Sequence, residues 1–146
     1  MNLEVVCFDE KYMPEYANQS DACMDLKIRI KERNKYLNPG QVATFGTGLK
    51  VKIPEDYVML IYPRSSTGFK LNCMFSNGTS VIDPGYRGEI KLSIYNFGKY
   101  SVELEDGQRV AQFMIIPRPK LKLIEVADDD KFKEGNRGGG IGSTGR

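Results

Sequence analysis

The chain has 146 residues, of which 40% are hydrophobic and 27% charged, and its formal net charge is +2. These values are typical of one globular domain with a buried core, and so small a net charge predicts neither a nucleic-acid nor a membrane partner. The chain has no histidine and three cysteines. This excludes Ser-His-Asp and Cys-His triads, histidine-based zinc sites and a Cys₄ zinc site.

In chain order, the sequence predicts many short strands separated by turns. Hydrophobic and polar residues alternate in residues 50–53, 89–95 and 101–105, as in half-buried strands. Residues 57–62 and 110–116 are nearly continuous apolar runs, which is typical of strands covered on both faces. Residues 120–126 are the predicted last strand, and only residues 64–70 are expected to form a short helical turn.

Turn-forming pairs separate these segments at short intervals, among them Asn77-Gly78 and Pro84-Gly85. An Asn-Gly pair between apolar flanks is the strongest short hairpin signal. Many short strands at this spacing predict an all-β sandwich, jelly roll or barrel.

The N-terminal residues 1–5 lack a basic region followed by a long apolar run. We therefore expect neither a signal peptide nor a membrane span. Cys7, Cys23 and Cys73 are far apart and form no CxxC motif, so we expect free thiols in a reducing compartment. Together these features predict a cytoplasmic location, or the host cytoplasm for a viral protein.

After Val126 the composition changes. Residues 128–130 are three aspartates, and residues 135–146 contain six glycines together with Arg137, Ser143 and Thr144. Such a segment cannot pack a core, and we expect it to be mobile in the free protein. Its amides, guanidinium and hydroxyls are also the parts of a phosphate cradle. Taken alone, the segment fits a disordered terminus better than a phosphate-binding arm.

Asp83 is the first candidate for catalysis. It follows an apolar run and precedes the Pro84-Gly85 turn, with Tyr86 three residues further on. A carboxylate at the rim of a turn, beside an aromatic ring, can serve as a general base. The same residue would also suit an ordinary turn cap.

Three further signals are weak when taken singly. Arg64 and three hydroxyl residues follow an apolar strand in residues 63–68, which fits a turn cap as well as an anion site. Gln112 is the only polar residue of the run 110–116 and needs either an internal partner or a ligand. Asp25 is similarly flanked by apolar residues.

The order and spacing of these segments resemble the five motifs of the trimeric all-β deoxyuridine triphosphate nucleotidohydrolases, the dUTPases. The counterparts are residues 22–26 (ACMDL), 63–66 (PRSS), 77–88 (NGTSVIDPGYRG), 107–112 (GQRVAQ) and 137–145 (RGGGIGSTG). Cys23 and Ser80 stand where glycine is usual, and Ile141 replaces a phenylalanine in a fifth motif that is one residue short. The resemblance implies a single-domain, jelly-roll-like distorted β-barrel in residues 1–127. A mobile glycine-rich arm, residues 128–146, would close over the active site.

The resemblance also implies hydrolysis of dUTP to dUMP and pyrophosphate, which limits uracil in DNA and supplies dUMP for dTMP synthesis. Asp83 would activate the water that attacks the α-phosphorus. Asp25 would contact Mg²⁺ indirectly, through water on the triphosphate-bound ion. The implied substrate-binding residues are Arg64, Ser65, Ser66, Asn77, Val81, Tyr86, Gln112, Arg137, Ile141, Gly142, Ser143 and Thr144.

Each part of the substrate has its own implied contacts. Tyr86 would stack on the deoxyribose and exclude a 2′-hydroxyl, and Asn77 with its hairpin backbone would read uracil. The phosphates would be held by Arg64, Ser65, Ser66 and Gln112, and the γ-phosphate would be covered by Arg137, Ser143 and Thr144. Ile141 offers apolar contact without aromatic stacking. Either affinity for the base is lower, or another ring covers the base, such as Phe132 or Phe69.

In the family each active site draws on three subunits, so the resemblance implies a homotrimer with shared sites. Three alternatives are weighed against this reading. One is a structural jelly-roll domain without a site, which the order of the five motifs argues against. A dCTP deaminase has the same fold but uses a catalytic glutamate where this chain has Ser93. A regulatory protein-binding module could also use this fold, as some family members bind proteins, and the sequence identifies no such partner.

Overall fold

The computed structural model describes residues 1–31 and 34–126. This part of the chain contains one 3₁₀ turn (Glu10–Tyr12), one short helix, α1 (Ser65–Phe69), and eleven strands. The strands are β1 (Glu4–Cys7), β2 (Met24–Lys27), β3 (Asn34–Leu37), β4 (Val42–Gly46), β5 (Leu49–Lys52), β6 (Tyr57–Pro63), β7 (Cys73–Phe75), β8 (Ser80–Ile82), β9 (Lys91–Asn96), β10 (Val102–Glu105) and β11 (Arg109–Pro117).

The pairings between these strands are all antiparallel. The largest sheet has the order β2-β11-β6-β8, and a three-stranded sheet has the order β4-β9-β7. Two further pairs join β1 with β5 and β3 with β10. The all-β prediction is confirmed, and α1 lies within the segment predicted to be helical.

The core forms because strands of the two larger sheets present apolar faces to one cluster. In β9, Leu92 and Ile94 are fully buried while Lys91 is exposed, which is the period-two pattern of a half-covered strand. Met59 and Ile61 of β6 belong to the same cluster. Because burial of each such side chain contributes roughly 1.5–3 kcal/mol, the core fixes the strands that carry the candidate site.

A β-bulge interrupts β11 at Val110. In the ladder between β11 and β2, Arg109 lies opposite Lys27 and Ala111 lies opposite Leu26. Two steps along β11 therefore match one step along β2, which makes Val110 the extra residue of the bulge.

The bulge anchors α1. Its Val110 carbonyl oxygen accepts hydrogen bonds from the Arg64 backbone N–H at 3.1 Å and from the Thr67 hydroxyl at 2.7 Å. Thr67 is 1% exposed, so a buried hydroxyl and a backbone amide are satisfied by one carbonyl. The start of α1 is thereby held beside β11.

Two predictions about secondary structure were wrong. Residues 120–126 form no strand, although they alternate, since Leu121 and Leu123 are 84% and 91% exposed and have no partner ladder in the described chain. The Asn77-Gly78 turn closes no hairpin, because β7 pairs with β9 whereas β8 pairs with β6. The turn itself is present, and Gly78 adopts a φ of +71° there, which glycine tolerates without strain.

The remaining predictions concern the cysteines, membrane-spanning segments and the domain boundary. Cys7, Cys23 and Cys73 are free thiols, as expected. Within residues 1–31 and 34–126, no helix is long and apolar enough to span a membrane. The predicted boundary after residue 127 and the predicted mobile arm of residues 128–146 lie outside the described part of the chain and stay predictions.

Candidate active site

One group of predicted site residues meets where β2, β11 and the start of α1 come together. Asp25 of β2 is 5% exposed. Its two carboxylate oxygens lie 2.8 Å from Arg64 Nε and 3.1 Å from Arg109 Nη1. Because a buried carboxylate needs such partners, Asp25 holds both guanidinium groups in place. Sequence reasoning had assigned no role to Arg109.

Arg109 was missed because a regular strand would point it away from Gln112. Residues three apart along a strand lie on opposite faces. The bulge at Val110 changes this, so that Arg109 lies opposite Lys27 and Gln112 lies opposite Asp25, two positions that share a face of β2. The presence of Arg109 inside the fourth motif was the signal that could have found it.

Gln112 has an internal hydrogen-bond partner, one of the two possibilities that the sequence left open. Its Nε2 donates to the carbonyl oxygen of Pro63 at 3.3 Å. Ser65 and Ser66 form the first turn of α1, and Ser65 is exposed. We call this group the Arg64 cluster: Asp25, Arg64, Ser65, Ser66, Arg109 and Gln112. Guanidinium, hydroxyl and amide groups are strong donors for phosphate oxygens.

Cys23 lies two residues before Asp25 and is half-buried. Burial raises the pKa of its thiol, and the nearby Asp25 charge raises it further. Since the thiolate is the reactive form of cysteine, this raised pKa disfavours the reactive form of Cys23. It is not a candidate nucleophile.

A second group surrounds Asp83, which follows β8. The Asp83 carbonyl accepts the Tyr86 N–H at 3.1 Å, and the Arg87 guanidinium donates to the carbonyls of Pro84 and Tyr86. The turn is thus held by its own backbone and by Arg87. The Asp83 side chain is exposed, and no hydrogen bond or ion pair engages its carboxylate within residues 1–31 and 34–126. It is therefore available to accept a proton.

Asp83 opens onto a cleft of about 710 Å³, a size typical of small-molecule sites. Arg87 and Arg118 line the same cleft. Of its acidic residues, Glu4 and Glu55 are paired with lysines, at 2.7 and 3.1 Å, and Asp83 is unpaired among the described residues. Lys52 also lines the cleft, so three acidic and three basic side chains share it.

The remaining described site residues lie on the same segment. Asn77 is exposed and its Nδ2 donates to the Ser80 hydroxyl at 3.2 Å. Val81 of β8 is 57% exposed. Tyr86 is 41% exposed, and its hydroxyl donates to the Glu89 carbonyl at 2.8 Å. An amide, an apolar side chain and an aromatic ring are thus accessible near Asp83.

The Arg64 cluster and Asp83 lie at opposite ends of β6. In the ladder between β6 and β8, Ile82 lies opposite Met59 and the chain then continues to Asp83. Arg64 lies five residues beyond Met59 at the other end. At about 3.3 Å per residue, Asp83 and Arg64 of one chain are roughly 20 Å apart. One described chain does not bring them together.

Five predicted residues lie outside the described part of the chain: Arg137, Ile141, Gly142, Ser143 and Thr144. The same holds for Phe132, one of the two rings considered for covering the base. The other, Phe69, ends α1 and is 89% exposed. Phe69 is thus accessible, on the same short helix as Ser65 and Ser66.

A protein-built metal cage is not found in the described ranges, where no three His, Cys, Asp or Glu side chains converge. The Arg64 cluster contains one carboxylate, Asp25. Its two oxygens have about four acceptor sites, and one ion pair to each oxygen leaves acceptor capacity for water. This donor set fits a magnesium ion held mainly by a ligand's own oxygens.

Comparison with known proteins points to one family. The family model described as dUTPase matches residues 9–145. The chain is 42% identical over 134 residues to the deoxyuridine 5'-triphosphate nucleotidohydrolase of Alkaliphilus metalliredigens, covering 91% of this chain and 89% of the relative. It is 37% identical over 139 residues to that of Clostridium tetani, covering 94% and 92%.

Solved dUTPase structures are similar to this one. A mutant dUTPase of Staphylococcus bacteriophage 80alpha with dUpNHpp has a TM-score of 0.84 and 26% identity, covering 99% of both chains. The dUTPase of Streptococcus mutans has a TM-score of 0.73 and 25% identity, covering 84% of this chain and 99% of its own. A mutant dUTPase from phage phi11 of S. aureus, described with a structural Mg(II) ion, has a TM-score of 0.77 and 25% identity, covering 88% and 98%.

Proposed function

The chain belongs to the dUTPase family and hydrolyses dUTP, and we propose that Asp83 activates the water that attacks the α-phosphorus. The products are dUMP and pyrophosphate. The observation that supports this assignment is the contrast between two carboxylates. Asp25 is buried between two guanidinium groups, whereas Asp83 is exposed and unpaired among the described residues. Of the two, Asp83 is the one that is free to accept a proton.

The Arg64 cluster binds the phosphates in this proposal. Arg64 contributes positive charge, and Ser65, Ser66 and Gln112 contribute uncharged donors. The ion pair to Asp25 orients Arg64 before substrate arrives, so less conformational freedom is lost on binding. Donors oriented in advance toward the oxygens that gain charge stabilise the transition state.

The Asp83 segment binds the nucleoside. Tyr86 stacks on the deoxyribose and leaves no room for a 2′-hydroxyl, while Asn77 and Val81 contact the base. Residues of the C-terminal arm complete the site: Arg137, Ile141, Gly142, Ser143 and Thr144. Ile141 gives the base apolar contact without stacking, so either affinity for uracil is reduced or Phe132 or Phe69 supplies the ring.

Magnesium is the proposed cofactor, carried by the triphosphate. When bound, the ion offsets phosphate charge. Asp25 would hold its water ligands, a role that fits the spare acceptor capacity of a carboxylate with one ion pair to each oxygen. In this proposal the protein does not bind the metal alone, because the triphosphate carries it.

A homotrimer with shared active sites is proposed on two grounds. The separation of roughly 20 Å between Asp83 and Arg64 along β6 is too large for one dUTP to contact both in the same chain. In addition, Leu121, Leu123 and Ile124 are 84%, 91% and 74% exposed, and such an apolar segment is typical of a subunit contact. A second chain would supply the missing half of each site.

The three free thiols fit a reducing compartment. We therefore place the protein in the cytoplasm, or in that of the host if it is viral. No regulatory protein partner is proposed, because no described surface identifies one.

Product analysis tests the function. The full chain is incubated with Mg²⁺ and, in parallel, dUTP, dCTP, dTTP or UTP, and the products are separated by chromatography. We expect dUMP and pyrophosphate from dUTP alone. Deoxyuridine nucleotides formed from dCTP would favour the deaminase instead, and a folded protein that converts none of the four would contradict both enzymes.

A further inference from the structure

Tyr86 is held by a contact on its own segment. Its hydroxyl donates to the Glu89 carbonyl oxygen at 2.8 Å. A Cβ atom at Gly88 would lie 2.5 Å from that hydroxyl, so the glycine is what allows the ring to fold back over the chain. The position of the ring therefore depends on where the Glu89 carbonyl is held.

The Glu89 side chain is fixed by three donors. Its carboxylate accepts from Arg29 Nε at 3.0 Å, from Arg29 Nη2 at 2.9 Å and from the Gly48 N–H at 2.9 Å. A Cβ at Gly46 would lie 2.3 Å from the same carboxylate. Burial alone would raise the pKa of Glu89, but these bonds outweigh it and lower the pKa below its ordinary value.

The backbone next to Glu89 is held to the segment that contains Gly46 and Gly48. The Ile90 N–H donates to the Leu49 carbonyl at 2.9 Å, and the Ile90 carbonyl accepts the Thr47 N–H at 3.0 Å. Arg29 in turn donates its backbone N–H to Gly46 at 2.7 Å. The carboxylate and the neighbouring backbone therefore tie the Glu89 carbonyl to the start of β5.

We propose that Glu89 is a positioning residue for sugar selection, acting through its own carbonyl on the Tyr86 hydroxyl. It touches no substrate. The paired carboxylate fixes the backbone of residue 89, the carbonyl fixes the tyrosine ring, and the ring excludes the 2′-hydroxyl. This inference rests on the proposed role of Tyr86 in the dUTPase reaction.

The test is a double-mutant cycle with Glu89→Gln and Tyr86→Phe, in which kcat/KM is measured for dUTP and UTP. Glu89→Gln keeps the shape of the side chain but removes the charge that holds the Arg29 fork. We expect the dUTP-over-UTP ratio to fall on the order of tenfold, since small misplacements of a positioning group are costly. Tyr86→Phe should lower the ratio as well, and adding Glu89→Gln to it should cause no further fall.

Asp106→Asn is the matched control. Asp106 is also a half-buried carboxylate, held by Lys11, Tyr12 and the Ile30 N–H, and it makes no contact with Tyr86 in the described chain. Its variant should lose stability in thermal unfolding but keep the dUTP-over-UTP ratio. If Glu89→Gln does not fold, Arg29→Lys, which keeps the charge but loses the fork, is tested by the same criteria.

An unchanged ratio in Glu89→Gln overturns the proposal. So does an equal fall in the Tyr86→Phe background, because Glu89 would then act by another route. Wild-type protein that hydrolyses dUTP and UTP equally well would refute the sugar-reading role of Tyr86 itself. Wild-type protein without dUTP hydrolysis would instead refute the proposed function.

Discussion

Arg64 Nε lies 2.8 Å from Asp25 Oδ1, on a carboxylate whose second oxygen is 3.1 Å from Arg109. The Asp25 side chain is 7% exposed, and the arginines are 28% and 42% exposed. A nearly buried anion thus orients two partly open cations. Arg64, the proposed phosphate ligand, is therefore held in place without any phosphate present.

Asp25→Asn should lower both stability and substrate affinity. The change leaves two neighbouring guanidinium groups without their counter-charge, and we expect the free energy of unfolding to fall by roughly 1–3 kcal/mol, since the arginines are partly hydrated. The KM for dUTP should rise several-fold, measured alongside urea unfolding. Glu55→Gln, which breaks an exposed pair with Lys120, is the control for stability and should leave the urea midpoint nearly unchanged. An equal loss of stability in the two variants would contradict the role of Asp25.

Asp83→Asn should keep the fold and substrate binding but lose most turnover. Only proton abstraction is removed, and loss of a general base lowers kcat on the order of 10²–10⁴-fold. Binding is measured by calorimetry with a non-hydrolysable dUTP analogue, and turnover by pyrophosphate release. Normal turnover in this variant would remove Asp83 from the mechanism.

Two inactive variants should restore each other's activity when mixed, if active sites are shared between chains. Asp83→Asn and Arg64→Ala chains, unfolded together and refolded as mixed trimers, would combine an intact Asp83 of one chain with an intact Arg64 of another. Random mixing should restore about a quarter of the sites. Each variant refolded alone is the control. If the mixture stays as inactive as its components, both residues must act from the same chain.

Removing residues 135–146 should leave the proposed trimer intact and strongly lower activity. These residues include Arg137, Ser143 and Thr144, the proposed contacts to the γ-phosphate, and an arm that orders on binding would exclude water from the site. Gel filtration checks the assembly, and dUMP formation checks the activity. A truncated protein as active as the full chain would eliminate the closing role of the arm.

Asp106 should contribute to stability at neutral pH and lose that contribution in acid. Burial alone would raise its pKa, but bonds from Lys11, the Ile30 N–H and Tyr12 outweigh it and lower the pKa below its ordinary value. A lowered folded-state pKa means that the unfolded state binds more protons, so this stabilisation is present above the ordinary pKa and disappears as the pH falls through the lowered one. Urea unfolding from pH 7 to pH 2 should show wild type and Asp106→Asn converging only at the acid end. A constant difference across this range would contradict the linkage.

Local patterns predicted five of the eleven described strands, namely β5, β6, β9, β10 and β11, and tertiary pairing accounts for the failures. The alternation around Leu92 and Ile94 identified β9, because one face of that strand is buried. The same alternation in residues 120–126 marked no strand, since a strand also needs a neighbour to pair with. At Gly78 the positive φ fits the predicted turn, whereas the sheets to which β7 and β8 belong depend on distant segments.

In the candidate site, too, some residues were predicted from the sequence and others were missed. The resemblance assigned Asp25, Arg64 and Gln112, and the structure brings these three together. Arg109 escaped because its orientation depends on a one-residue bulge, which shifts the strand's faces without leaving a periodic signal. Glu89 escaped because the partners of its carboxylate, Arg29 and Gly48, are far from it in sequence.

The distance between Asp83 and Arg64 has a consequence for how activity depends on gene dosage. When the two residues must come from different chains, an isolated chain has no complete site. Dilution below the dissociation constant of the oligomer would then abolish turnover without unfolding the chains. Halving expression would lower activity by more than half in that regime, and a defective chain produced beside a normal one would spoil sites that its partners had otherwise completed.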